Sequence, residues 1–167
     1  MLHGKGTFKW TDGTLYKGEF RENEITGKGT YHWSDGSTYK GQVMNGLRHG
    51  QGTYINTEEG VEYEGQWVNG MRDGYGELRY KNGSVYQGNW QKGMKWGKGK
   101  MTYASGNFYE GNWENNKRNG HGTMNWVTSN EKYTGNWVDN LQSGFGTHIW
   151  LDSSTAYKLL RNRYVGY

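Results

Sequence analysis

A Gly-x-Gly pair recurs along this chain at a nearly constant spacing, and this repeat constrains the fold more than any other feature. A period of roughly 20 to 50 residues is typical of repeat proteins, in which each repeat is one supersecondary unit that packs on its neighbours. We therefore predict a single domain over residues 1–167, built as one array of about seven units. The pairs begin at Gly4, Gly27, Gly50, Gly74, Gly97, Gly120 and Gly144, at steps of 23, 23, 24, 23, 23 and 24 residues.

Each unit has the pattern of a β-hairpin. A Tyr-x-Gly motif lies between successive Gly-x-Gly pairs, as at residues 16–18, and a turn dipeptide such as the Asp-Gly at 12–13 separates the two motifs. Asp-Gly between alternating runs is a strong hairpin signal because the tight turn needs positive φ. A second polar loop, such as that at 45–46, leads to the next unit. The pattern predicts an all-β fold, an elongated, twisted, single-layer antiparallel β-meander.

Large rings and glycines share one face of the predicted strands, because side chains alternate between the two faces. A ring on a single sheet has no second layer to pack against, and a glycine on the neighbouring strand leaves space where it can lie. The 9 Trp and 14 Tyr of the chain therefore supply a shallow core, while the opposite face is polar. We predict a structural aromatic and glycine face that includes Tyr16, Tyr39, Tyr63, Trp67, Tyr86, Trp90, Tyr109, Trp113, Tyr133 and Trp137.

These rings have a second interpretation as a stacking platform for single-stranded nucleic acid. Such a platform needs rings that are exposed beside a basic groove, whereas regular pairing with glycine favours burial. A formal charge of +4, spread along the chain, gives weak support for a nucleic-acid partner. We therefore predict a structural role for the rings and no nucleic-acid partner.

Nothing in the sequence indicates catalysis. The chain has no Cys, and its five His lie in different repeats without the spacing of a metal site. Gly4-Lys5-Gly6 resembles part of a phosphate-binding loop, but the residue after the Lys is Gly and no helix follows. We predict a protein that is not an enzyme and that needs no metal or cofactor.

Two groups of residues are candidates for contact with a partner. The segment 151–163 is longer than the other hairpin tips and is either a tolerated insertion or a docking element. Its candidate docking residues are Lys158, Leu159, Leu160, Arg161 and Arg163. A second group is either a solvated face or one basic patch, and it comprises Lys92, Lys95, Lys98, Lys100, Lys117 and Arg118.

The units resemble MORN repeats. The signature Tyr-x-Gly-x-Trp, followed by a Gly-containing loop, Gly-x-Gly and Asp-Gly, is met over residues 16–29, 63–76, 86–99 and 109–122. The resemblance implies single-sheet hairpin rods that serve as scaffolds and bind proteins. Lipid binding is also proposed for this family, which makes the alternative a peripheral membrane adaptor that binds anionic phospholipid through the basic patch.

The irregular parts of the chain are similar to the MORN-repeat proteins of the radial spoke head of motile cilia and flagella. They are TSNEKYTGNW at 128–137, SGFGTHIW at 143–150, RNRYVG at 161–166 and the valine at position 43. This resemblance implies a cytoplasmic structural component of the ciliary axoneme, part of the cytoskeleton, with other radial spoke or axonemal proteins as partners. An unpaired terminal strand edge invites pairing, so we also expect a second copy or a partner to cover one end.

Overall fold

The computed structural model describes residues 1–150 and the backbone of residues 159–162. All its regular elements are strands of one antiparallel sheet, whose order follows the chain. This confirms the predicted all-β antiparallel meander, and the described residues contain no helix that could span a membrane. The strands are β1 (Gly4–Lys9), β2 (Leu15–Arg21), β3 (Glu24–His32), β4 (Thr38–Met44), β5 (Leu47–Asn56), β6 (Val61–Val68), β7 (Met71–Arg79), β8 (Val85–Gln91), β9 (Met94–Thr102), β10 (Phe108–Glu114), β11 (Lys117–Trp126), β12 (Glu131–Val138), β13 (Leu141–Trp150) and β14 (Leu159–Asn162).

The strands group into two compact units. The first unit comprises Met1–Lys81 together with Trp90–Gly93. The second comprises Asn82–Asn89 and the described residues from Met94 onward. The same hairpin pattern is found in both units, so one example of each contact represents its repeats.

The first glycine of the Gly-x-Gly pair lies in a bulge of the sheet at Gly27, Gly50, Gly74, Gly120 and Gly144. Between β4 and β5 the register moves from Gly41 opposite Gly52 to Val43 opposite Arg48, so that residues 49–51 lie opposite Gln42 alone. Gly50 has a φ of 59°, in the left-handed region that favours glycine. The Oε1 atom of Gln42 accepts a hydrogen bond of 2.8 Å from the backbone N–H of residue 51 and stabilises the bulge.

The second glycine of each pair after the first has a different role, which is to leave space for a tyrosine ring. Gly41 and Gly52 lie opposite each other on β4 and β5, and a Cβ atom on Gly52 would collide with the ring of Tyr39. Tyr39 is completely buried, and its hydroxyl donates a hydrogen bond of 2.7 Å to the backbone oxygen of Gln42. The fully buried side chains include six tyrosines of this kind, Tyr16, Tyr39, Tyr63, Tyr86, Tyr109 and Tyr133.

The sequence pattern placed both glycines of each pair beneath the rings. The structure corrects this interpretation, because only the second glycine underlies a ring and the first is required by the backbone. The period-two alternation does not distinguish the two roles, since both glycines have the same parity along the strand.

We predict that Gly52→Ala lowers the free energy of unfolding by about 3 kcal/mol, because the new methyl group displaces the buried Tyr39 ring. Gly6→Ala is the matched control, since Gly6 also lies opposite a glycine but its Cβ would lie 3.2 Å from the Cε2 atom of Phe20, near the edge of the sheet. The control should lose less than about 1 kcal/mol. Denaturant unfolding followed by tryptophan fluorescence measures both, and equal losses would contradict the ring-over-glycine account.

Candidate functional site

The face that carries the tyrosine rings, called the ring face here, is held together by indole hydrogen bonds. Trp67 is almost fully buried and packs edge-to-face between Tyr39 and Tyr63, with ring centroids 5.6 and 5.0 Å away. Its Nε1–H donates a hydrogen bond of 3.0 Å to the backbone oxygen of Gly52. The same bond recurs from Trp90 to Gly76 at 3.3 Å, from Trp113 to Gly99 at 3.1 Å and from Trp137 to Gly122 at 3.1 Å.

Basic side chains cover these indoles from above. In the first unit the guanidinium carbon of Arg48 lies 4.3 Å from the centroid of the Trp67 ring, and its Nη2 donates to the backbone oxygen of Gly70 at 2.9 Å. Arg72 takes the same position over Trp90, at 4.4 Å. Each contact combines a cation–π interaction with a hydrogen bond, so the cations tie one hairpin to the loop of the next.

Sequence reasoning missed this role of the arginines, although the sequence carries a signal for it. A basic residue stands two positions before the Gly-x-Gly pair at residues 48, 72, 95 and 118. In the second unit Arg118 lies 4.4 Å from the Trp137 centroid, and Lys95 lies 5.2 Å from that of Trp113. The basic residue at this repeat position therefore belongs to the ring face.

Burial changes the ionisation of both partners. Loss of hydration lowers the pKa of the Arg48 and Arg72 guanidinium groups, and it raises the pKa of Tyr39 and Tyr63 to about 12. Burial also raises the pKa of Tyr109 to about 12. Because these rings are buried and their hydroxyl groups are hydrogen-bonded within the sheet, we assign the ring face a structural role.

The opposite face, called the polar face here, carries a groove in the first unit. Its volume is about 800 Å³, and it crosses β1 to β5. Lys40 lies opposite Thr30 on one side and Thr53 on the other, and Lys28 lies opposite Gln42. The residues that line it are Lys5, Glu19, Lys28, Gly29, Thr30, Lys40, Gly41, Gln42, Gln51 and Thr53.

The six residues of the predicted basic patch have different surroundings in the structure. Lys92 belongs to the first unit, in the loop after β8. In the second unit Lys95 and Arg118 contact the rings. Lys100 lies on the polar face, where its Nζ is 4.6 Å from the Phe108 ring. The two remaining residues are Lys98, which lies opposite Asn112 on the polar face, and Lys117, which forms an exposed ion pair of 3.1 Å with Asp139.

The candidate docking residues lie outside the residues whose side chains the structure describes. The backbone of β14 contains Leu159, Leu160 and Arg161, with Leu160 opposite Ile149 of β13. Lys158 and Arg163 lie outside the described residues altogether. Their role as a docking element stays a prediction.

The described part of the chain contains no group of three or more His, Asp or Glu side chains that could hold a metal ion. The Nε2 atom of His148 lies at hydrogen-bonding distance, 3.2 Å, from a carboxylate oxygen of Glu131, and the imidazole stacks on Trp150 with centroids 4.0 Å apart. These contacts give His148 a packing role at the end of the ring face.

Comparison with known proteins identifies the repeat. The family model described as MORN repeat matches residues 1–15, 16–38, 39–57, 63–85, 86–108, 109–131 and 133–155. Among solved structures, the chain is similar to the TCP domain of SAS-4 (dCPAP) of Drosophila melanogaster, in complex with a proline-rich motif of Ana2 (dSTIL). The TM-score is 0.55 and the identity 10%, over 95% of this chain and 84% of that one, which is a likeness of fold alone. No curated protein matches the chain.

We predict that Arg48→Met lowers the free energy of unfolding by about 2 kcal/mol, because it removes the cation over Trp67 and the hydrogen bond to Gly70. Arg79→Met is the control, since the Arg79 side chain is 57% exposed and pairs only with Glu77 among the described ion pairs. The control should change stability by less than about 0.5 kcal/mol. Chemical unfolding measures both, and an unchanged Arg48→Met variant would show that the cation is dispensable.

We predict loss of structure at alkaline pH, as buried tyrosines ionise. The folded-state pKa of Tyr39 is raised from 10.0 to about 12, so its contribution to stability is fully present below pH 10 and is lost as pH rises towards 12. Tyrosinate absorbance and circular dichroism, recorded on the same sample, should change together in this window. Ionisation of all tyrosines near pH 10, with structure retained, would contradict their burial.

Proposed function

This chain belongs to the MORN-repeat family, and on that premise we propose that it is a non-catalytic scaffold protein of the radial spoke head, in the axoneme of motile cilia or flagella. MORN-repeat proteins are in general structural and binding proteins. The proposal goes further than the family in naming the cilium, and it takes that part from the irregular segments at 128–137 and 143–150.

One structural observation supports a binding role above all others. The described residues form a single sheet, and its rings pack and hydrogen-bond within that sheet. Within these residues no helix or second sheet covers the polar face or the hairpin ends. Hairpin ends of the first unit expose apolar side chains, with Met44 41%, Leu47 48%, Val68 42% and Met71 46% accessible. Exposed apolar groups beside polar surface favour contact with other proteins.

A protein of similar fold offers a precedent for this kind of contact. The SAS-4 TCP domain is described in complex with a proline-rich motif of Ana2. We extend from it only the idea that a sheet of this fold accepts a peptide segment of another protein. The partners that we propose are other radial spoke or axonemal proteins, together with a second copy that pairs through a terminal strand edge.

The alternative is a peripheral adaptor that binds anionic phospholipid. It relied on six basic residues forming one patch, and Lys95 and Arg118 of that group contact the rings instead. Lys117 is paired with Asp139. These placements favour the protein-binding proposal, and the lipid alternative stays a prediction.

We predict that this chain, expressed with a tag in ciliated cells, remains with the microtubule axoneme when isolated cilia are extracted with detergent. It should leave the axoneme only at high salt, because contacts between exposed charges are screened by ions. Immunoblots of each fraction, with tubulin and a ciliary membrane protein as markers, provide the measurement. Release with the membrane marker, or absence from cilia, would overturn the axonemal proposal.

A further inference from the structure

The groove on the polar face has an uncompensated positive charge. Lys5, Lys28 and Lys40 line it with Glu19 as the single acid, which leaves a net charge of +2. All three lysines are exposed, and none of them forms an ion pair within the part of the chain that the structure describes. The Glu19 side chain lies against Gly27 at the bulge, and its charge is already included in this net value.

The neighbouring strands limit this positive region. Thr53 of β5 lies opposite Glu64 of β6, and Glu64 lies opposite Glu77 of β7 on the same face. Two like charges that face each other across a strand pair do not stabilise the sheet. Glu77 forms an ion pair with Arg79, so Glu64 is the acid that repels a negatively charged ligand next to the groove, and the surface favourable to an anion ends at β5.

An apolar strip lies beside the groove. Met44 is two residues beyond Gln42 on β4 and therefore shares its face, and it lies opposite Leu47 across the hairpin. Leu47 lies close to Gly70 in the next hairpin loop. A Cβ atom added to Gly70 would be 3.9 Å from the Cδ2 atom of Leu47. The groove thus offers cations along its length and apolar side chains at one margin.

We propose that this groove binds an acidic segment of a partner protein, in which carboxylates contact Lys5, Lys28 and Lys40 and apolar side chains contact Met44 and Leu47. The inference rests on the proposed function, because it names the chemistry of a partner of the scaffold. Charge complementarity steers such a segment to the groove and sets its position. The five strands span about 20 Å, the length of about six extended residues.

A protein segment fits these features better than a membrane surface does. The cations line the groove together with Thr30 and Thr53, whose hydroxyl groups can hydrogen-bond to the backbone of an extended chain. The described residues contain no amphipathic helix to insert beside it. Binding to an anionic vesicle is therefore an outcome that the experiment must distinguish.

The test uses the purified whole chain and a labelled synthetic peptide of about twelve residues, with Glu at two of every three positions and Leu at the third. Fluorescence anisotropy should show binding that weakens as salt rises. The double variant Lys28→Glu/Lys40→Glu should bind at least about tenfold more weakly, since two attractive contacts become repulsive. A peptide with Gln in place of Glu should bind the unchanged chain no more tightly than the Glu peptide binds the double variant.

The matched control is Lys98→Glu/Lys100→Glu, which makes the same charge change on the polar face of the second unit. Lys98 has the same repeat position as Lys28, between the two glycines of a pair, so a general charge effect would weaken both double variants equally. We expect the control to bind within about twofold of the unchanged chain. Both variants should keep the tryptophan fluorescence of the folded protein, because Lys28, Lys40 and Lys98 are exposed and the half-buried Lys100 lies beside Phe108 on the polar face, away from the indoles.

Backbone NMR chemical shifts give a second measurement, and the amide resonances of residues 28–30, 40–42 and 51–53 should shift on addition of the peptide.

The proposal is overturned if the peptide does not bind, if both double variants lose binding equally, or if phosphatidylserine vesicles bind through Lys28 and Lys40 while the peptide does not. These results are independent of the ciliary extraction experiment. If the chain stays with the axoneme but does not bind the peptide, this inference is contradicted and the proposed function is unaffected.

Discussion

The contact between a tyrosine ring and a glycine on the neighbouring strand is the interaction on which the rest of this structure depends. A single sheet has no second layer, so large rings must be buried against the backbone itself. The pair of Gly41 and Gly52 allows Tyr39 to do this with its hydroxyl still hydrogen-bonded. Because this contact recurs at six tyrosines of the described residues, each of these hairpins contributes its own part of the core and needs only its neighbours to complete it.

The tryptophans and basic residues then close the ring face from above. Trp67 bonds to the backbone oxygen of Gly52, and Arg48 lies over the indole and bonds to the next loop. The polar atoms of these groups are used in hydrogen bonds to one another, so few of them remain on this face to bind a ligand. Binding is therefore more plausible on the polar face, where Lys28 and Lys40 have no carboxylate partner among the described residues.

Much of the fold could be predicted because its signals are local. An Asp-Gly turn, as at 12–13, and the Tyr-x-Gly motif define a hairpin within one unit, and their repetition defines the meander. The different roles of the two glycines, one in the bulge and one beneath a ring, could not be predicted in the same way. It depends on the bulge that sets residues 49–51 opposite Gln42, and alternation along one strand carries no information about that insertion.

The sequence by itself determined that this chain is a β-repeat protein with aromatic rings on one face, because turn chemistry and side-chain alternation act over a few residues. Only the tertiary structure decided which basic residues pack on the rings and which are available to bind a partner. Arg118 and Lys98 both look like surface cations in the sequence, yet Arg118 covers Trp137 while Lys98 lies on the opposite face. That difference depends on contacts between residues about twenty positions apart, and the register of neighbouring hairpins sets those contacts.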